Sequence, residues 1–137
     1  MNKPALVLSA ALLLGSIAIG PAGAAAPAMA LPDCAGGPTV RPDSVTLACA
    51  DAGITAQKLQ WTGWGNTFAA AIGTASVNTC TPNCAAGTFK QYRIVLIATG
   101  KQTCGNGQPA YAKVTYAFIG AAPSSVDPDP TVPFKCK

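Results

Sequence analysis

The chain contains no histidine and no glutamate, and only 10% of its residues are charged. Without histidine, neither a Ser-His-Asp nor a Cys-His nucleophile can be assembled. Histidine-containing metal sites fall with it. The acids are five aspartates: Asp33, Asp43, Asp51, Asp127 and Asp129. Only Asp43 and Asp51 flank an expected strand, at opposite ends, too far apart for a paired acid and base. Both read as turn residues. A Ser-Lys dyad has Ser44, Ser76 and several lysines to draw on, but no spacing singles one out. Gly105-Asn106-Gly107 is too short to cradle a phosphate, and no helix pattern follows it. No internal repeat is present. The reading from these absences is a chain without catalysis, cofactor or metal.

The N-terminus has the layout of a secretory signal peptide: a charge, an apolar run, then small residues. Lys3 supplies the charge. Residues 5–19 are almost unbroken Ala, Leu, Val and Ile, and Gly20-Pro21 ends the run. Cleavage patterns follow at Ala22-Gly23-Ala24, Ala24-Ala25-Ala26 and Ala28-Met29-Ala30, which places the cut between about Ala24 and Ala30. An uncleaved anchor is the alternative, but the run falls short of the ~20 residues a span needs. Lipidation at Cys34 is excluded by Pro32-Asp33, because a lipoprotein site wants a small residue before its cysteine. No later stretch is long enough to insert stably in a membrane. The expected organisation is a signal peptide over 1–30, a β domain over 31–120 and a Pro-rich strap over 121–137. After cleavage, eight Lys and Arg face five Asp. That mild basicity is not a nucleic-acid signature.

An even count of six cysteines in an exported chain implies three disulfides. The residues are Cys34, Cys49, Cys80, Cys84, Cys104 and Cys136. Spacing does not choose among the pairings. A bond between Cys34 and Cys136 would strap the two mature ends together. Cys80 and Cys84 would either close a small turn around Thr81-Pro82-Asn83 or reach separate strands. Zinc at Cys80-x3-Cys84 is disfavoured by an oxidising destination and by the lack of histidine.

Beyond the signal, short alternating runs bounded by Gly, Pro and Asn predict strands. Val45, Leu47 and Cys49 share one face, and Leu59 and Trp61 another. The Ala-rich stretch from Phe68 to about Val77 could be helical on propensity, but Gly65, Gly73 and threonine favour strand. In residues 88–99 both faces are apolar, which predicts a central strand covered on both sides. Residues 111–119 alternate again. The linker over 100–108 is turn chemistry that Cys104 could pin. Residues 121–133 are expected to run extended without core contacts, with Phe134 and Cys136 tied back. The fold class is all-β: a small, disulfide-stapled antiparallel sandwich or barrel of about five or six strands.

Binding candidates come from what is exposed and rigid. In a regular strand Trp61 and Trp64 point to opposite faces. Trp61 then belongs to the core, and Trp64, beside Asn66, is left as a platform for a sugar or a protein. The bland alternative is that Gly63 bends the chain and both rings pack inside. Tyr111 and Lys113 would share a solvent face with Arg93 and Lys90, a small basic-aromatic patch or simply a solvated sheet face. Pro82 and Asn83 sit in a turn that a disulfide would stiffen.

Leu47-Ala48-Cys49-Ala50-Asp51, then Leu59-Gln60-Trp61-Thr62-Gly63-Trp64-Gly65, then Asn78-Thr79-Cys80-Thr81-Pro82-Asn83-Cys84-Ala85-Ala86-Gly87 resemble a group of small secreted proteins of actinobacteria with no assigned activity. The likeness covers about residues 42–118. A histidine often follows Ala-Ala-Gly in that group, whereas Thr88-Phe89-Lys90 stands here, so no histidine-based role carries over. The resemblance implies export and an actinobacterial envelope setting. The expected function is an exported, non-catalytic binding module for an extracellular protein or envelope glycan. The alternatives are a disulfide-rigid inhibitor of an extracellular enzyme and a structural envelope protein.

Overall fold

A computed structural model describes residue 20, residues 23–124 and residues 130–137. The expected apolar run, its Gly20-Pro21 break apart from Gly20, and Asp127 and Asp129 lie outside the described residues. No described residue is helical. Six strands form one antiparallel sheet that curls into a half-barrel. They are β3 (Val45–Thr46), β4 (Ile54–Trp64), β5 (Phe68–Asn78), β6 (Phe89–Thr99), β9 (Lys113–Phe118) and β10 (Thr131–Pro133), in the order β10-β9-β6-β5-β4-β3. Two short ribbons close the ends: β1 (Leu31–Pro32) with β2 (Pro38–Thr39), and β7 (Gln102–Thr103) with β8 (Pro109–Ala110). The antiparallel all-β reading holds, with the main sheet supplying the expected strand number.

The sheet buries one face only. Leu59, Ala69, Ala71, Ala75, Val77, Ile94, Leu96, Val114 and Tyr116 fill the inside, and Met29, Leu31, Val45, Leu47 and Phe134 pack against them. On the outside, Phe68 is 53% exposed, Ile72 41% and Ile97 43%. This corrects the expectation that residues 88–99 are covered on both sides. Both faces of β6 are apolar, yet no described layer lies over the outer one.

Two irregularities curve β4. Its register on β5 shifts between Gln57 and Gln60, and again between Trp61 and Gly63. At the first, Lys58 has φ of 53°. A Cβ on Gly73 opposite would lie 2.7 Å from the Gln57 carbonyl oxygen and 2.8 Å from Leu59 Cδ2. Glycine is therefore what lets the bulged strand approach. At the second, the extra residue cancels the alternation, so Trp61 and Trp64 come to the same side. They pair with Ala71 and Ala69, whose small side chains leave room for the indoles.

The disulfides are Cys34–Cys49, Cys80–Cys84 and Cys104–Cys136. The expected Cys34–Cys136 strap is corrected: each end is fastened to its own neighbouring loop. The two ends still meet, through a Lys137 amide that donates to the Gly36 carbonyl. The C-terminal segment also departs from expectation. Residues 131–133 form edge strand β10 on β9, Val132 packs on the core and Phe134 is buried. An edge strand tolerates Pro133, because an outward-facing N–H is not needed there.

A disulfide-closed loop as the candidate functional site

The structure separates the residues that the sequence grouped. Tyr111 is wholly buried, which corrects the solvent face assigned to it. It precedes β9, and its hydroxyl donates to the Gly65 carbonyl. Burial pushes that hydroxyl above its ordinary value of 10.0, with the Gly65 bond acting in the opposite direction. Lys113 is exposed, but it pairs with Thr99, at the far end of β6 from Arg93. Six residues of strand, about 20 Å, separate those positions. No basic-aromatic patch forms.

Trp64 is half-buried rather than an open platform. Its ring meets Trp61 edge-on at 4.6 Å and Tyr111 at 5.4 Å between centroids. Both indole N–H groups are committed: Trp64 Nε1 donates to the Met29 carbonyl at 2.8 Å, and Trp61 Nε1 to that of Pro42 at 2.9 Å. An edge-to-face, hydrogen-bonded aromatic cluster of this kind is structural. Asn66 is exposed and borders a hollow of about 330 Å³ with Ala26, Pro27, Met29 and Lys101.

Pro82 and Asn83 are both exposed, and the structure builds something around them. They lie in the loop over 79–88 that joins β5 to β6. Asn78, the last residue of β5, braces it in two directions. Its Oδ1 accepts from the Cys80 amide at 3.0 Å, and its Nδ2 donates to the Cys84 carbonyl at 2.8 Å. The Thr79 amide donates to the Thr88 carbonyl at 2.8 Å and closes the neck. The Thr88 amide returns a bond to Thr79 Oγ1 at 3.3 Å. Asn83 Oδ1 accepts from the Ala86 amide at 2.9 Å, and Thr81 Oγ1 donates to the Thr79 carbonyl at 3.2 Å. The Cys80–Cys84 bond holds Cα atoms 3.8 Å apart, and the Thr81-Pro82 peptide is cis.

Gly87 completes the device. A Cβ there would overlap Asn78 Oδ1 and stand 2.9 Å from the Cys80 nitrogen. Asn78 and Thr79 brace the loop from its half-buried neck, while Thr81, Pro82, Asn83, Ala85 and Ala86 face solvent. Beside the neck, Val77, Asn78, Thr79, Thr81, Lys90, Tyr92, Pro123 and Ser124 line a polar hollow of about 150 Å³. Sequence reasoning found the loop but not its brace. Asn at the end of a strand, followed by Thr-Cys, is the turn-forming pattern that would have flagged Asn78.

Two of the described acids, Asp33 and Asp51, hold turns through their carboxylates. Asp33 Oδ1 accepts from the Ala35 and Gly37 amides, and Asp51 Oδ1 from that of Gly53. Among the described residues, no group of three or more His, Cys, Asp or Glu stands together to hold a metal. Comparison of the chain with protein-family models, curated proteins and solved structures finds no match.

Proposed function

We propose that this chain is an exported, non-catalytic interaction module that presents the 79–88 loop to a protein partner outside the cell. The observation that carries the reading is the contrast within that loop. Its backbone is held by a disulfide and by side-chain braces, yet its tip carries no charge and leaves Pro82, Asn83, Ala85 and Ala86 free to contact a partner. A loop ordered in advance loses little entropy on docking, so its contacts count toward affinity. The same argument favours the inhibitor form of this reading, in which the loop enters the cleft of an extracellular enzyme. A glycan partner is less supported, because the Trp64 face it required is committed to the core cluster. The structural envelope reading draws on a separate observation, the exposed apolar outer face at Phe68, Ile72 and Ile97. Export and an actinobacterial envelope setting are part of the proposal; three disulfides in a small domain support the export half, and the setting rests on the sequence resemblance alone.

The test is capture by immobilised oxidised protein from extracellular and envelope fractions. Asn83→Ala and the double variant Cys80→Ala/Cys84→Ala serve as comparators. A partner held by the parent and lost by both variants supports the loop. A partner held equally by all three moves the binding surface elsewhere on the sheet.

A further inference from the structure

Four signal-cleavage patterns lie within nine residues, Ala22-Gly23-Ala24, Ala24-Ala25-Ala26, Ala26-Pro27-Ala28 and Ala28-Met29-Ala30, and small-residue rules alone do not rank them. The fold does. Residues 23–28 are exposed, and the chain then enters the domain abruptly. Gln108 Nε2 donates to the Ala28 carbonyl. Met29 is 4% exposed, packs in the core, and offers its carbonyl to Trp64 Nε1 at 2.8 Å. Ala30 is 1% exposed and bridges Ala110. Its amide donates to the Pro109 carbonyl at 2.9 Å, and its carbonyl accepts from the Tyr111 amide at 2.8 Å.

Resting on the export reading above, we infer that processing cuts this chain after Ala24 or Ala26, and that residues 28–30 are an integral part of the mature domain. The downstream patterns at Ala26-Pro27-Ala28 and Ala28-Met29-Ala30 would start the mature chain at Met29 or Leu31, both buried in the core. The step is hydrolysis by a membrane signal peptidase. One water is added across the Ala24–Ala25 or Ala26–Pro27 bond, leaving a carboxylate on the leader and an amine on the domain.

A cut at Ala30–Leu31 has two consequences that an upstream cut avoids. It strips the partners from Trp64 Nε1, the Tyr111 amide and the Pro109 carbonyl. Buried groups left without partners carry their full desolvation cost. It also places a new ammonium on Leu31, which is 1% exposed, and a charge there is expensive to bury. An amine at residue 25 or 27 sits in water instead.

The experiment expresses the full chain in an exporting actinobacterial host and reads the mature start by N-terminal sequencing and intact mass. The expected start is Ala25 or Pro27. Ala24→Arg, which spoils both upstream patterns, should abolish the stable exported species. Ala28→Arg, at an exposed position that spoils both downstream patterns, should leave yield and start unchanged. A stable product beginning at Met29 or Leu31, from the parent or from Ala24→Arg, overturns the inference, as does loss of processing in Ala28→Arg. A parent chain that keeps Met1 overturns the export reading itself, an outcome separable from a start at Leu31.

Discussion

Two loops of this molecule carry disulfides close to hairpin turns, and they use them in opposite ways. The 100–108 loop folds inward. Its Cys104 is 3% exposed and joins Cys136, and Gln102 Nε2 donates to the Tyr111 and Phe134 carbonyls at 2.7 and 2.9 Å. It gathers the N-terminal segment, β8 and the C-terminal segment around a small second core of Ala30, Cys104 and Ala110. The 79–88 loop gathers nothing beyond itself. Its disulfide spans a separation of 4 residues and its braces come from Asn78, Thr79, Thr81, Thr88 and Asn83. The difference separates two uses of one covalent bond. A cross-link between distant segments stabilises the fold, whereas one within a turn fixes the shape of an exposed surface. Loss of stability and loss of binding should therefore divide between the two loops.

The largest effect should follow removal of the plug at the inward end. Phe134→Ala empties a buried aromatic site and should cost about 3–5 kcal/mol in urea unfolding. A cost below about 1 kcal/mol would show that the sheet stands without the C-terminal segment. Next comes Cys104→Ala/Cys136→Ala. Its separation of 32 residues predicts a loss of roughly 4 kcal/mol by the chain-entropy relation. The matching Cys80→Ala/Cys84→Ala variant should lose only about 2 kcal/mol while abolishing partner capture. Equal stability losses in the two pairs would erase the comparison. Asn83→Ala sharpens it further: losing the bond from the Ala86 amide should cost about 1 kcal/mol or less, below either disulfide pair, while capture weakens.

The smallest effect concerns alkaline pH. The Tyr111 hydroxyl holds its proton above 10.0 in the folded chain, so the unfolded chain releases that proton first. Stability from this group is complete below about pH 10 and is lost as pH climbs through the folded value. Tyr111→Phe should remove that part of the alkaline slope, read from unfolding midpoints across pH 9–12. An unchanged slope would place Tyr111 in water.

The strands were legible because their period is short and local. The alternation of Leu59 and Trp61 against Lys58 and Gln60 is what the sheet shows. What failed depended on events that alternation does not encode. The bulge after Trp61 reverses the face of Trp64, so counting by twos misplaces it, whereas the bend at Gly63 weighed beside that count puts both rings inside, as the sheet does. Tyr111 was assigned by continuing the β9 pattern two residues too far, into a segment that crosses to Ala30 instead. The outer face of β6 was read as covered because apolar residues occupy it, and nothing local reports whether a second layer exists. Disulfide pairing is a property of the closed fold, so Cys34–Cys136 could not be tested by spacing. Pro82 and Asn83 were found because turn chemistry and cysteine spacing are both local.

The sheet's two border strands are short, with only 2 residues in β3 and 3 in β10, the latter carrying Pro133. Long unpaired borders invite further strands from neighbouring molecules. A charge-poor domain with Phe68, Ile72 and Ile97 on its surface is exposed to that hazard. β3 covers only Thr55 and Ala56 of β4, so the stretch from Gln60 to Trp64 has no described strand on its outer side, and the two bulges of β4 are what spoil it as a template for a growing fibre.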